Sequence, residues 1–175
     1  MLITGEAGIG KTRLAEELLA WTERQGVETA VARCYASGGS SVAYAPVAEW
    51  LRSAALQARA RRLDGVWLRE VARLLPDLLS ARPDLIAPGP MTESWQRQRF
   101  FQALAQVVLG TFVPESGELA PGRADRLVDK GAHEWEVAGN VRPLLLLLDD
   151  VQWCDQETLD WLHYLLQAMG RAPLL

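Results

Sequence analysis

The sequence predicts an α/β fold built on a parallel sheet, and three stretches predict it. Leu2-Ile3-Thr4 reads as the end of a strand that runs into the glycine-rich loop Gly5 to Thr12, and Thr12 to Gln25 reads as a helix. Val27 to Tyr35 is rich in β-branched residues and reads as a second strand. Far along the chain, Pro143 opens a run of five leucines, Leu144 to Leu148, closed by Asp149 and Asp150. Such a run is much shorter than the roughly twenty apolar residues that span a membrane. It suits a parallel strand buried on both faces, although its length also admits a buried helix segment.

The loop fixes the chemistry. Residues 5–12 fit G-x-x-x-x-G-K-[ST] without a mismatch. Gly5, Gly8 and Gly10 let the backbone turn tightly and aim successive N–H groups at an anion. Lys11 reaches β- and γ-phosphate oxygens as a point charge, and the Thr12 hydroxyl takes a place on Mg²⁺. The competing reading is a glycine-rich turn that binds nothing. A phosphate loop needs an acidic partner on a neighbouring strand. Asp149 and Asp150 stand at the carboxyl end of the leucine strand, where open α/β sheets place their ligands. Asp149 is assigned to Mg²⁺, directly or through water. Asp150 is assigned, with Lys11, to catalysis, where it polarises the attacking water. The bland alternative is a strand that ends in a solvated turn.

The remaining elements follow in order. Leu14, Leu18 and Trp21 mark the inward face of the first helix, and Gly26 ends it. Ser37 to Ser41 is a connector, or a loop that approaches the nucleotide. Pro46 fits the first position of a helix running to about Arg62. Val66, Leu68, Val71, Leu74, Leu75 and Leu78 form an amphipathic helix that Pro76 kinks. Arg82 to Pro90 is a loop with three prolines, Pro83, Pro88 and Pro90. Ser94 to Leu109 is a helix with Phe100, Leu104, Val107 and Val108 on one stripe and Gly110 as its stop. Residues 46–110 thus make a mostly helical section, and 111–141 a long surface loop with a short helix near Asp125 to Glu134. After the two aspartates, Gln156 to Met169 is a helix striped by Leu159, Leu162, Leu165, Leu166 and Met169, with Gly170 as its stop. Asp155 is either its N-cap or a nucleotide-site residue, and Trp153 belongs to core or interface rather than to a base-stacking platform.

Composition narrows the class. The 175 residues suit one domain, and 49% hydrophobic with 23% charged residues is ordinary for a soluble globular chain. A net charge of −4 argues against direct nucleic-acid binding by this segment. Lysine is scarce, with Lys11 and Lys130 against 16 arginines, which gives the loop lysine added weight and suggests a GC-rich bacterial coding sequence. Cys34 and Cys154 lack metal or disulfide spacing and read as reduced, partly buried thiols of a cytoplasmic protein. His133 and His163 lack ligand spacing, and His163 faces outward. The arginines at 61, 62, 97 and 99 read as solvated helix faces. No leader is visible.

With both motifs placed, the chain resembles the STAND-type P-loop ATPase module, close to the AAA+ ATPases. It is most similar to the version carried by large ATP-binding LuxR-type transcriptional regulators and by some bacterial adenylate cyclases and protein kinases. The blocks are Gly5-Glu6-Ala7-Gly8-Ile9-Gly10-Lys11-Thr12-Arg13-Leu14, Arg33-Cys34-Tyr35 with Tyr44-Ala45-Pro46, Leu74 to Leu78, Gln98-Arg99-Phe100-Phe101, and Leu148-Asp149-Asp150-Val151-Gln152-Trp153-Cys154-Asp155. The resemblance implies a three-layer P-loop NTPase fold with a parallel sheet and a helical insertion, truncated at both ends. It implies that Gly5, Glu6, Ala7, Gly8, Ile9, Gly10, Lys11, Thr12 and Arg13 bind ATP or ADP. It also implies Mg²⁺, self-association in the ATP state, an output domain outside residues 1–175, and no membrane. The expected function is an ATP-binding, slowly hydrolysing switch. The alternatives are a non-catalytic interaction remnant and a P-loop kinase.

Overall fold

The computed structural model describes residues 1–36, 42–110 and 142–169. The chain forms two compact units, one comprising Met1–Ala58 with Arg142–Leu159, the other Arg59–Val141 with Asp160–Leu175. The sequence readings of Ser37 to Ser41, of 111–141 and of Gly170 lie outside the described residues, as does the side chain of Met169.

The first unit rests on a two-stranded parallel sheet. β1 (Glu28–Arg33) and β2 (Leu144–Asp149) pair residue for residue, from Glu28 opposite Leu144 to Arg33 opposite Asp149. The ladder continues at both ends, where the Glu28 N–H donates to the Pro143 carbonyl at 2.9 Å and the Cys34 N–H to the Asp149 carbonyl at 3.0 Å. Strand alternation buries Ala30 and Ala32 and leaves Val31 exposed. The leucine strand departs from expectation. Every residue of β2 is half-buried rather than covered on both faces. Among the described residues β2 has β1 as its one strand neighbour, so its layers are incomplete. Leu2-Ile3-Thr4 does not form the expected strand end either. So short a run becomes a strand only when a ladder captures it, and the ladder recorded for β2 is with β1.

α1 (Lys11–Arg24) ends at Gly26, whose left-handed backbone (φ 77°) lets the Val27 N–H reach back to the Thr22 carbonyl at 3.1 Å. Of its expected inward stripe only Leu18 is covered. Leu14 and Trp21 are each 54% exposed, and the covered side chains are Ala15, Leu18, Leu19 and Thr22. One residue of helix is about 100° of rotation, so the buried face lies beside the most apolar one. Thr22 tolerates burial because its hydroxyl donates to the carbonyls of Leu18 and Leu19 at 3.0 and 2.9 Å.

The single helix expected from Pro46 to about Arg62 is two, α2 (Ala45–Leu51) and α3 (Ala54–Ala60). Arg52 and Ser53 donate three residues back, to Glu49 and Trp50, and the Ser53 hydroxyl accepts the Leu56 N–H at 3.4 Å to restart the helix. α2 packs on β1, and the Trp50 indole N–H donates to the Leu147 carbonyl of β2 at 2.8 Å.

The described part of the second unit is helical. α4 (Gly65–Val71) and α5 (Asp77–Ser80) replace the one kinked helix expected across Val66 to Leu78. Pro76 has no N–H for the bond that would carry α4 onward. Leu68, Val71, Leu75 and Leu78 are buried as the stripe predicts, joined by Trp67, whereas Val66 is exposed and Leu74 half-buried. α6 (Ser94–Leu109) starts with a capping box between Glu93 and Gln96, buries Phe100, Leu104 and Val107, and stops at Gly110 with φ 64°. α7 (Gln156–Met169) buries Thr158, Trp161 and Leu165, while the expected Leu159 and Leu166 are exposed. His163 and the arginines at 61 and 62 are exposed, as expected. Arg97 and Arg99 are not simply solvated. Arg97 pairs with Asp160 at 2.6 Å and lies 5.1 Å from the Phe101 ring, and Arg99 lies 5.7 Å from the Trp67 ring.

Candidate functional site

All the site residues nominated from the sequence belong to the first unit. Gly8 and Gly10 take left-handed backbone (φ 82° and 97°), and no atom lies within 4 Å of where a Cβ at either would stand. Conformation rather than crowding therefore calls for glycine at both. Gly10 caps α1, which has no side-chain cap and no acidic residue in its first turn. A 14-residue helix so begun presents orphan N–H groups and the positive end of its dipole to an anion. The Lys11 ammonium donates to the carbonyls of Gly5 at 3.0 Å and Glu6 at 2.7 Å, so the loop curls round its own lysine. Glu6, Ala7, Ile9, Thr12 and Arg13 are exposed.

The other half sits at the end of β2. The Asp149 carboxylate accepts from the Arg33 guanidinium at 2.8 Å and from the Asp150 N–H at 2.9 Å. Arg33 Nε also lies 3.8 Å from Asp150, whose other oxygen accepts from Gln152 at 3.0 Å. These bonds to Asp149, followed by its charge, raise the Arg33 pKa above the usual arginine value. Asp150 itself has left-handed backbone (φ 55°), which turns the chain out of β2 into a 3₁₀ turn at Val151–Trp153. Nothing in the sequence around Arg33 marks it for this role. Only the register of two strands, 116 residues apart at this pair, puts it opposite Asp149.

Between the two readings of Asp155, the geometry is that of a cap. Its side chain is buried and accepts from the Thr158 N–H at 2.8 Å, the Thr158 hydroxyl at 2.8 Å and the Tyr44 N–H at 3.0 Å. The last bond holds Tyr44, a non-glycine residue with φ 60°, at the start of α2. Trp153 is not core, being 53% exposed. Cys34 is buried beside the half-buried Cys154, and both thiols are free. Burial, aided by a hydrogen bond between the two side chains, pushes the Cys34 thiol up to about 12, and burial also raises Cys154.

The structure thus joins Arg33, Asp149 and Asp150, and sets the loop at the head of a helix that packs on β1 and β2. Among the described residues no hydrogen bond or ion pair links the loop to either aspartate. Nor, among them, does any group of three or more His, Cys, Asp or Glu form a metal site. The Asp149 carboxylate and the Thr12 hydroxyl are hard oxygen donors, of the chemistry that suits Mg²⁺ when phosphate oxygens and water complete its shell. No described helix is long and apolar enough to cross a membrane.

Compared with known families, residues 1–175 match the model described as the AAA ATPase domain. No curated protein and no solved structure matches the chain.

Proposed function

Because the chain belongs to the AAA ATPase domain family, which makes it a P-loop nucleotide-binding module, we propose that it is the ATP-driven switch of a bacterial signalling or transcription-control protein of the STAND type. The observation that carries this reading is the pairing of a lysine-bearing glycine loop at the head of α1 with two carboxylates at the end of β2, in one unit. In this reading residues 1–175 belong to one P-loop domain, with 46–110 a mostly helical section.

The N–H groups from Gly5 to Arg13 and the Lys11 ammonium hold the triphosphate. Lys11 exchanges its bonds to the Gly5 and Glu6 carbonyls for phosphate oxygens, a trade of neutral for anionic acceptors that favours binding. Thr12 and Asp149 hold the divalent cation. When bound, that cation supplies positive charge against the phosphate oxygens. Asp150 takes the proton of the water that attacks the γ-phosphorus as the bond to ADP breaks. Phosphate contacts made while ATP is bound, and lost on hydrolysis, provide the switch. Self-association in the ATP state and an output domain elsewhere in the protein belong to the same reading.

Calorimetry of ATP with Mg²⁺, on the wild type and on Lys11→Ala and Asp149→Ala, tests it. Micromolar binding (about −8 kcal/mol) that both substitutions abolish is the expected result. Absence of binding by a folded wild type would overturn it in favour of a non-catalytic interaction module.

A further inference from the structure

We propose that the second unit carries a binding groove for a small organic carboxylate with a flat apolar body. The groove encloses about 580 Å³ between α4, the first turns of α6 and the loop 81–90. That volume lies in the range of small-molecule sites. Its wall is built rather than accidental. Gly65 lies so close under the loop that a Cβ there would stand 2.8 Å from Leu85 Cδ2. Arg73, just past the end of α4, ties the chain there to the loop by donating to the Gly89 carbonyl.

Charge selects the ligand. Four arginines and two carboxylates line the groove of a chain that is acidic as a whole. Two of the arginines are neutralised within it. Arg73 pairs with Glu70 at 2.7 Å, and Arg82 grips Asp84 with two bonds of 2.8 Å. Arg69 and Arg99 are left over, and neither has a carboxylate partner among the described residues. The Arg99 guanidinium lies 5.7 Å from the Trp67 ring, and its Nε is buried without an acceptor. Two guanidinium groups without a carboxylate partner can recognise an anion, and their planar donors suit a carboxylate.

Shape and polarity select the rest of the molecule. Trp95 is 58% exposed on one wall, and Ile86 is exposed on the loop opposite α4. An exposed indole offers a stacking surface for a flat apolar body. A strongly hydrophilic anion would leave these side chains as they are, whereas an aryl or acyl carboxylate covers them and reaches the arginines at once. The groove lies wholly in the second unit and every phosphate-loop residue in the first, so this proposal stands apart from the ATP reading.

The test titrates the full chain with naphthoate and, separately, with its neutral amide, naphthamide, by calorimetry. Naphthoate is expected to bind with Kd of about 0.1 mM and the amide at least about tenfold more weakly. Arg69→Gln, Arg99→Gln and Trp95→Ala are each expected to weaken naphthoate by about tenfold or more, with circular dichroism unchanged. Arg69 and Trp95 are exposed, so those two variants decide the matter where Arg99→Gln loses its fold. Equal affinity for acid and amide would overturn the proposal, as would unaltered naphthoate binding by a folded Arg69→Gln or no binding by the wild type.

Discussion

Arg33 and Asp149 face each other across the β1–β2 ladder with guanidinium and carboxylate 2.8 Å apart, and Asp150 lies within 3.8 Å of the same arginine. Asp149, proposed to hold Mg²⁺, is thus partly neutralised by a residue from the neighbouring strand. A cation recruited to Asp149 competes with that arginine. Replacing Arg33 with Gln is therefore expected to lower the Mg²⁺ concentration at which ATP binding is half-saturated, by a few-fold, in a calorimetric Mg²⁺ titration. The effect should shrink in high salt, because the pair is partly exposed and screened. An Mg²⁺ requirement that rises in Arg33→Gln would show the arginine to be supporting the carboxylates instead.

Asp155 knits the start of α2 to the start of α7. Its loss leaves the buried Tyr44 N–H and the first turn of α7 without acceptors, which costs about 2–4 kcal/mol. Asp155→Ala should lower the urea midpoint accordingly. Asp155→Asn keeps one oxygen for both N–H groups, and the cost should fall to about 1 kcal/mol. Equal losses in the two variants would place the effect in the charge rather than in these bonds.

The contrast between what the sequence revealed and what it hid has a physical basis. The phosphate loop was legible because its chemistry is local: eight consecutive residues at a helix start, with glycines where φ is positive. The Arg33–Asp149 pair was not, since register between distant strands leaves no trace in either stretch. In α1 and α7 the apolar stripe was a partial guide, since Leu18, Leu162 and Leu165 are covered whereas Leu14, Trp21, Leu159 and Leu166 are exposed. Both helices also bury a threonine, Thr22 bonded to its own helix and Thr158 to Asp155, and local bonds remove the cost of burying the hydroxyl. Periodicity reports hydrophobicity and cannot see that compensation. The two helix breaks, at Ser53 and Pro76, lie in stretches that read as continuous, and the proline was expected only to kink.

Gly10 offers a test of the loop as a conformational device. Its φ of 97° is open to glycine and strained for alanine, although nothing crowds the position. Gly10→Ala is expected to cost about 1–2 kcal/mol of stability, seen in thermal unfolding, and to weaken ATP binding at least about tenfold as the loop relaxes toward negative φ. Unchanged affinity would mean that the loop shape is not what holds the phosphates.

The Cys34 thiol gives the structure a signature at high pH. Burial pushes it from an ordinary 9.0 up to about 12 in the folded chain. Between those values the unfolded chain has lost the thiol proton that the folded one keeps, so the unfolded state binds fewer protons and stability falls as pH rises. Below 9.0 both states hold the proton and this group contributes no slope. Urea midpoints measured at about pH 8 and about pH 10.5 should therefore decline, by at most about 1.4 kcal/mol per pH unit from this group. Cys34→Ala should flatten the decline, and the wild-type thiol should resist iodoacetamide until the chain unfolds, because the thiolate is the reactive form. A decline of the same steepness in Cys34→Ala would assign it to other groups, and rapid alkylation of native Cys34 would contradict the buried thiol directly.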